Sequence, residues 1–500
     1  MSPSVVYLPD GQSFTVQPVF SGLFFKSNEH NNHHAPFPVG WTVVIHSEDN
    51  PEDHIQGLTL KDDPNEARSR RSHIHRYSKP TLQNDTIFIS SISNPSSSEF
   101  KPHASQSRQI ALMLWVTLYW YFQQPEPSPY VVTEQSKHTP PEARPRGEWR
   151  IKIKREGVLR TRNMIPKLER MGLITSLDSA IGSNVNESNH GWDLMFVTRR
   201  MFWQIHSGLF LFTLQPVKHN SYPGSPSNSR PTSPVRSEGG QLATLFNQLA
   251  GELPSSPIGP YHSTSHLPTY YPPAPLQYII SNNVRHPLRQ KPPHMGEIFY
   301  TRFVPSVGKY LSFRVASLAP RPVPHLGPIS PGERENTHLN TLCDTSLIQM
   351  WLSNPRVTAF WGEYHPKFLS TAFQSHHSFP AIAMWDGVPF GYFEIYWVKE
   401  DQLGRYMGNE AQDFDRGIHV LIGEEWARGR VQQWLSSLIH WCLQADYRTM
   451  NICLEPRVDN ARFIQHLEFA GFAKEKEISF PHKRAWLCRL RRDVWDGPAM

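Results

Sequence analysis

The residues best placed for chemistry are Arg428, Gly429 and Arg430, in the stretch EEWARGR. They stand between a compact apolar run at 417–423 (GIHVLIG) and a segment whose apolar residues recur at helical spacing. The first N–H groups of a helix have no partner within the helix, and the helix dipole favours an anion there. The sequence therefore predicts that this turn binds an anionic group such as a pyrophosphate.

The elements around this turn alternate strands with helices. The helical spacing after the turn is carried by Val431, Trp434, Leu435, Leu438, Ile439, Trp441 and Cys442. A second strand is predicted at 449–454, followed by EPRVDN, a helix that ends at Gly471, and strands at 472–480 and 484–490. Upstream, Asp386-Gly387 between two apolar runs predicts a β-hairpin within 378–399. One face of the helix after the turn is therefore expected to be buried.

This order of strands and helices resembles the core of the GNAT acyltransferases. The segments GIHVLIGEEWARGR, EPRVDN and EFAGF resemble the lysine and hydroxyornithine acyltransferases of siderophore pathways, as do HPLRQKPPHMGEIFYTRFVPSVGKYLSFRVAS and WDGVPFGYFEIYW. The resemblance covers residues 285–495 and implies an α+β GNAT fold in that half of the chain. It also implies that the pantetheine arm of acyl-CoA, the co-substrate, lies between two diverging parallel strands.

The catalytic pair implied by the resemblance falls on His419, in the first strand, and Asp459, beyond the second. Acyl transfer requires a free lone pair on nitrogen and a group that takes up its proton. We expect Asp459 to be the base and His419 to orient the acceptor or relay the proton, with the two roles exchangeable. A backbone N–H at Val420 or Ile422 is expected to polarise the thioester oxygen. The structural alternatives are a hydrogen-bonded core histidine and an Asp-Asn helix cap.

Further residues are assigned to the two sides of one cleft. On the acyl-CoA side these are Val420, Ile422, Arg428, Gly429, Arg430, Asn460 and Phe463. On the acceptor side they are Trp361, Glu363, His365, Glu394, Tyr396 and His419. Glu394 is the candidate for anchoring the α-amino group of the acceptor, whereas aromatic packing alone would account for Trp361 and Tyr396.

Composition restricts the other function classes. The net charge of +6 over 500 residues is mild and gives little reason to expect nucleic acid as a partner. The four cysteines show no CxxC pair and no Cys/His spacing that would hold zinc, so we expect no metal. Hydrolase, P-loop, Rossmann and zincin motifs are absent from the sequence. We therefore expect small-molecule partners, no nucleic acid and no membrane, and leave the oligomeric state open.

Three regions differ in composition. Residues 1–217 are predicted to form an α/β domain with short strands and a buried helix at 109–122, and the resemblance implies a degenerate copy of the GNAT fold. Residues 218–284 are rich in Pro, Ser, Gly and His, apart from a helix-like island at 241–253, and are predicted to be a mobile linker or insertion. Residues 285–495 form the predicted catalytic domain.

The resemblance implies an enzyme that acylates the side-chain hydroxylamine of N-hydroxyornithine, giving the hydroxamate of a fungal, ferricrocin-type siderophore. The acyl group in such enzymes is acetyl or anhydromevalonyl, and the resemblance implies that the latter enzymes are peroxisomal. The ending DGPAM is not an SKL-type signal, so we expect acetyl-CoA as donor and a cytoplasmic location. The alternatives are anhydromevalonyl transfer, acylation of lysine or another amine, and a non-catalytic CoA-binding scaffold.

Overall fold

The computed structural model describes residues 4–28, 37–48, 74–94, 106–133, 135–161, 163–176, 195–211 and 275–500. Most of the predicted linker at 218–284, including the helix-like island at 241–253, lies outside these ranges. Within them, no helix is both long and apolar enough to cross a membrane.

The first half of the chain is built on a mixed sheet, eight-stranded in its described part, in the order β1-β2-β3-β4-β6-β7-β8 with β5 paired to β4. Its strands are β1 (Ser4–Tyr7), β2 (Ser13–Val19), β3 (Gly22–Ser27), β4 (Gly40–Glu48), β5 (Ile74–Arg76), β6 (Asp85–Ser93), β7 (Arg150–Ile153) and β8 (Phe196–Thr198). Its helices are α1 (Gln106–Tyr121), α2 (Met164–Arg170), α3 (Arg199–Gln204) and α4 (Gly208–Leu211). The helix predicted at 109–122 is confirmed as α1, which is buried along almost its whole length.

The second half opens with a hairpin, β9 (Tyr278–Ser281) and β10 (Val284–Pro287). A second sheet follows, eight-stranded in the described residues, in the order β11-β12-β13-β14-β15-β16-β18-β17. Its strands are β11 (Ile298–Val304), β12 (Lys309–Val315), β13 (Ser378–Trp385), β14 (Val388–Trp397), β15 (Arg416–Ile422), β16 (Asn451–Leu454), β17 (Ala473–Ser479) and β18 (Arg484–Arg491). The predicted hairpin is confirmed as β13 and β14, with Asp386 and Gly387 both at positive φ in the turn.

The helices of the second half lie between these strands. They are α5 (Asp344–Leu352), α6 (Pro355–Trp361), α7 (Phe368–Gln374), α8 (Gln402–Met407), α9 (Val431–Ala445) and α10 (Ala461–Phe469). A 3-10 turn at Glu425–Arg430 leads into α9, as expected for the segment EEWARGR. The helix α10 is followed by Gly471 at φ +93°, which confirms the predicted end of this helix.

Each sheet contains one parallel strand pair, and each parallel pair is connected by a buried helix. In the second half β15 and β16 pair at Arg416↔Ile452 and Gly417↔Cys453, with α9 as the connection. In the first half β6 and β7 pair at Thr86↔Lys152 and Ile87↔Ile153, with α1 as the connection. The other strand pairs that the structure describes in these two sheets are antiparallel. This shared order supports the prediction of a degenerate GNAT copy in the first half, which stays a prediction.

The space beyond the parallel pairing differs between the two halves. In the first half the chain after β7 returns onto β6 at Gly157, whose φ is +56°. A Cβ at this glycine would lie 2.1 Å from the carbonyl oxygen of Ile89, so the backbone itself fills the gap. In the second half the strands diverge beyond Gly417 and leave a cleft that side chains line.

Helix α9 joins the two halves. It was predicted to bury one face, and the structure buries eleven consecutive residues, from Trp434 to Gln444. His440 lies between the halves, with Nε2 at 2.7 Å from the carbonyl oxygen of Trp203 and Nδ1 at 2.8 Å from the hydroxyl of Tyr300. Burial lowers the pKa of His440 to about 3, so its ring is neutral and bridges the halves as a hydrogen-bonding group.

Candidate active site

The centre of the site is His419 on β15, which lies between two glutamates. Its Nε2 is 2.7 Å from Oε1 of Glu455, and its Nδ1 is 3.3 Å from Oε2 of Glu394. The strand register explains the arrangement: Glu394 on β14 lies directly opposite His419. Glu455 follows β16 two residues after the last parallel pair, just as His419 does on β15. Because side chains alternate along a strand, all three project to one face of the sheet.

Two tyrosines and a lysine hold the glutamates in place. The hydroxyl of Tyr392 donates to Oε1 of Glu394 at 2.7 Å, and the hydroxyl of Tyr396 donates to Oε2 of Glu455 at 2.8 Å. Lys483 donates to the carbonyl oxygen of Glu455 at 3.1 Å and to its Oε1 at 3.4 Å. Each carboxylate therefore has several fixed donors, which makes the position of the His419 ring well defined.

The protonation of His419 follows from these neighbours. Burial disfavours the charged imidazole, but the carboxylates of Glu455 and Glu394 outweigh it and raise the pKa of His419 to about 10. Burial likewise disfavours the charged form of Glu455, yet His419, Lys483 and Tyr396 together lower its pKa to about 2. At neutral pH the site therefore contains an imidazolium between two carboxylates.

Asp459 lies apart from this network. Its carboxylate accepts two hydrogen bonds of 2.7 Å from the guanidinium of Arg457, and 58% of its side chain is exposed. The hydrogen bond from Arg457 lowers the pKa of this carboxyl group. The carboxylate against Nε2 of His419 is thus that of Glu455, and the catalytic role expected for Asp459 stays a prediction.

A cleft of about 220 Å³ runs from His419's strand towards the 3-10 turn before α9. Five of the residues assigned to acyl-CoA line it, namely Val420, Ile422, Arg428, Asn460 and Phe463. The side chain of Asn460 also caps α10 by accepting a hydrogen bond from the N–H of Phe463. The walls of the cleft are largely apolar, which suits a pantetheine arm.

The other two residues of the predicted anion-binding turn have different surroundings. A Cβ added at Gly429 would meet no atom within 4 Å, so the space beside this glycine is open to a ligand. The guanidinium of Arg430 instead packs 5.5 Å from the ring centre of Trp385 and 5.9 Å from that of Trp426. Arg430 is therefore placed to stabilise the turn through packing.

Two arginines that were not predicted share the mouth of this cleft with Arg428. Arg356, near the start of α6, and Arg462, in α10, both line it. Burial lowers the pKa of Arg428, as do the positive charges of Arg356 and Arg462, while Glu425 opposes them. Three cations that repel one another at the mouth of an apolar cleft indicate a site for an anion.

A second cavity, of about 350 Å³, adjoins this cleft and is lined by His419. It shares five lining residues with the first cleft: Phe360, Trp361, Val420, Asn460 and Phe463. The indole N–H of Trp361 donates to the carbonyl oxygen of Val420 at 3.0 Å, and its ring meets that of His419 edge-on. His419 and Glu455 line only the second cavity, next to Val420, which lines both spaces.

Of the other residues predicted on the acceptor side, two contact His419 and two are exposed. Tyr396 is buried against His419, with ring centres 4.5 Å apart, and Glu394 contacts His419 directly. Glu363 and His365 are exposed in the segment after α6, where Nδ1 of His365 accepts from the N–H of Lys367. Among the described residues, no three His, Cys, Asp or Glu side chains are grouped to hold a metal ion.

Comparisons with known proteins agree with this geometry. Residues 341–480 match the model of an acetyltransferase (GNAT) domain. The chain is 53% identical, over an alignment of 529 positions, to the N5-hydroxyornithine acetylase sidL of Beauveria bassiana. The alignment covers 97% of this chain and 100% of that protein. It is 33% identical over 282 residues to an N(5)-hydroxyornithine:cis-anhydromevalonyl coenzyme A-N(5)-transacylase of the same fungus, covering 50% of this chain and 56% of that protein. An N(6)-hydroxylysine O-acetyltransferase of Escherichia coli is 38% identical over 204 residues, covering 39% and 56% respectively.

Proposed function

The chain belongs to the N5-hydroxyornithine acetylase family of GNAT acetyltransferases, and from this premise we propose that it transfers an acetyl group from acetyl-CoA to the side-chain hydroxylamine of N5-hydroxyornithine. The product is a hydroxamate, the iron-chelating group of siderophores. The observation that carries the proposal is the position of His419, fixed between two carboxylates in a cavity that shares a wall with an apolar cleft lined by three arginines.

Acetyl-CoA is assigned to the cleft lined by Val420, Ile422 and Phe463. Its phosphates would meet the arginines at the mouth and the free N–H groups before α9, and its thioester would reach the end of β15 near His419. The backbone N–H groups at Val420 or Ile422 remain the proposed donors to the thioester oxygen.

The acceptor is assigned to the cavity on the His419 side. A hydroxylamine is less basic than an alkyl amine and arrives with a free lone pair, so the site has no need to deprotonate an ammonium group first. Attack forms the C–N bond, and collapse of the tetrahedral intermediate breaks the C–S bond. The nitrogen loses one proton and the departing CoA thiolate gains one.

We assign both proton movements to the network of Glu394, His419 and Glu455. Its carboxylates accept hydrogen bonds and can take up the proton that the nitrogen loses. The imidazolium of His419 can donate its proton to the thiolate, and the proton that a carboxylate took from the nitrogen then passes to the imidazole. His419 thus acts as a positioned acid, and its raised pKa keeps it protonated at neutral pH until the thiolate forms.

The choice of acetyl over a branched acyl group rests on the comparisons. The acetylase of Beauveria bassiana aligns over the whole length of both proteins, whereas the anhydromevalonyl transacylase aligns over 50% of this chain. These alignments support acetyl transfer, with anhydromevalonyl transfer as the alternative.

Thiol release tests the proposal directly. Purified protein is incubated with acetyl-CoA and N5-hydroxyornithine, and free CoA is measured against reactions lacking either substrate. We expect release that requires both substrates and that falls strongly in His419→Ala. A CoA-binding scaffold would bind acetyl-CoA and release no thiol above background.

A further inference from the structure

The cavity lined by His419 also contains charged side chains whose remaining hydrogen-bonding capacity the proton network does not use. Asp401, directly before α8, and Lys483, in the turn between β17 and β18, both line it together with His419. These two side chains bring opposite charges to one space of about 350 Å³. An amino acid acceptor also has opposite charges, an ammonium and a carboxylate, on its α-carbon.

Asp401 is fixed in place and still has capacity to accept hydrogen bonds. Its Oδ1 accepts from the N–H of Leu403 at 2.9 Å, which caps α8, and its Oδ2 lies 3.1 Å from Nε2 of His377. A carboxylate offers about four acceptor positions, so about two remain. Its side chain is only 19% exposed, which makes an added hydrogen bond to a cation strong.

The two carboxylates of the proton network are engaged with His419 and with other donors. Glu394 contacts His419 and Tyr392, and Glu455 contacts His419, Tyr396 and Lys483. Glu394 was the sequence-based candidate for the α-amino group, but Asp401 lines this cavity and Glu394 does not.

Lys483 supplies the positive charge that complements the negative charge of Asp401 in this cavity. Its ammonium group has three N–H donors, and the hydrogen bonds of the structure go to the carbonyl oxygen and Oε1 of Glu455. The third donor is available, and the side chain is 23% exposed. A carboxylate placed here would therefore meet a cation that the protein already holds.

We propose that Asp401 binds the α-ammonium group and Lys483 the α-carboxylate of the acceptor, so that the site selects an amino acid over a simple hydroxylamine. This inference rests on the proposed function. The four bonds of about 1.5 Å between N5 and the α-carbon span about 5 Å in an extended chain, because the tetrahedral bond angles shorten the path, and this length fits a cavity of about 350 Å³. A site built to bond a polar group strongly rejects analogues without that group, because its own buried partner is then left unpaired.

The test pairs Asp401→Asn with a substrate that lacks the group Asp401 binds. Asparagine keeps the helix cap and the size of the side chain, so folding is preserved. Thiol release is measured for N5-hydroxyornithine and for 5-(hydroxyamino)pentanoate, which has no α-ammonium group. The control variant is Asp493→Asn, an exposed carboxylate paired with Arg491.

We expect Asp401→Asn to lower kcat/KM for N5-hydroxyornithine about 10- to 100-fold, mainly through KM, the range for a hydrogen bond to a charged group. For 5-(hydroxyamino)pentanoate the same variant should change kcat/KM less than about threefold, since the lost partner is already missing. Because Lys483 also holds Glu455, Lys483→Gln should lower kcat/KM with both acceptors, but the loss should be larger with N5-hydroxyornithine than with N-hydroxy-1,4-diaminobutane, which has no carboxylate.

Equal losses with full-length and truncated acceptors would show that Asp401 acts on the fold or the network, and unchanged kinetics would show that it does not bind the acceptor. Either result overturns the inference about Asp401. If the wild type still releases thiol in the same assay, the proposed function stands. If the wild type releases no thiol with N5-hydroxyornithine, the proposed function itself fails.

Discussion

Nε2 of His419 and Oε1 of Glu455 lie 2.7 Å apart, although 36 positions and the whole of α9 separate the two residues in the chain. The contact arises because β15 and β16 run parallel and pair only at Gly417 and one residue before it. Beyond that point the strands diverge, and the two side chains make contact across the space between them. The same divergence opens the cleft assigned to acetyl-CoA.

Removing either partner of this contact should reduce turnover. We expect His419→Ala and Glu455→Gln each to lower kcat about 10²- to 10⁴-fold, the usual contribution of a positioned acid or base. Thiol-release kinetics measure the effect, and Glu477→Gln, an exposed carboxylate paired with Arg484, is the matched control.

The same measurement distinguishes Glu455 from Asp459. Because Arg457 holds the Asp459 carboxylate on the surface, we expect Asp459→Asn to lower kcat less than about tenfold, below the usual contribution of a general base. A loss in Asp459→Asn as large as that in Glu455→Gln would mean that substrate binding brings Asp459 to the nitrogen.

The charged network should also make stability depend on pH in a defined way. The folded pKa of His419, about 10, is above its ordinary value of 6.5, so its contribution is complete below 6.5 and is lost as pH rises through about 10. The folded pKa of Glu455, about 2, is below its ordinary value of 4.5, so its contribution is complete above 4.5 and is lost as pH falls through about 2. Both contributions are complete between pH 4.5 and 6.5.

Thermal unfolding of wild type and Glu455→Gln across pH tests this dependence. We expect the difference in Tm to be largest between pH 4.5 and 6.5 and to shrink towards pH 10 and towards pH 2. A difference in Tm that is constant across this range would show that Glu455 contributes packing and no charge interaction.

The arginines at the cleft mouth should control affinity for the donor. We expect Arg356→Ala and Arg462→Ala each to raise KM for acetyl-CoA about tenfold, with kcat little changed and with the effect weakening at high salt. Arg484→Ala, an exposed arginine on β18, serves as the control. Loss of kcat with unchanged KM would place these arginines outside the donor site.

The two halves of the chain should differ in donor binding. The positions that match His419 and Glu455 by register in the first half hold Ile89 and Arg155, and Gly157 fills the gap between the strands. We therefore expect one acetyl-CoA per chain by isothermal titration calorimetry or native mass spectrometry. A stoichiometry of two would show that the first half keeps a working donor site.

Much of the second sheet could be predicted from local sequence signals. Asp386-Gly387 marked the β13–β14 hairpin, the apolar run around His419 marked β15, and Gly471 marked the end of α10. These features depend on backbone preference and on apolar periodicity, which neighbouring residues determine.

The parts of the site that the sequence does not predict depend on long-range strand register and on short helices. The sequence does not predict the contact between Glu455 and His419, because this contact follows from the β15–β16 pairing, which no local pattern specifies. Arg356 lies in α6, a seven-residue helix with too few turns for a clear periodicity. The carboxylate of Asp459 is bound by Arg457, only two residues away, and the sequence pattern before α10 does not show whether such a local ion pair forms.

Competition between acceptors tests the central claim most directly. Wild-type protein is given acetyl-CoA with equal concentrations of ornithine, lysine, N5-hydroxyornithine and N6-hydroxylysine, and the products are identified by mass spectrometry. We predict that N5-acetyl-N5-hydroxyornithine is the main product. Preferential acetylation of ornithine or lysine, or no acetylated product at all, would contradict a hydroxyornithine acetylase.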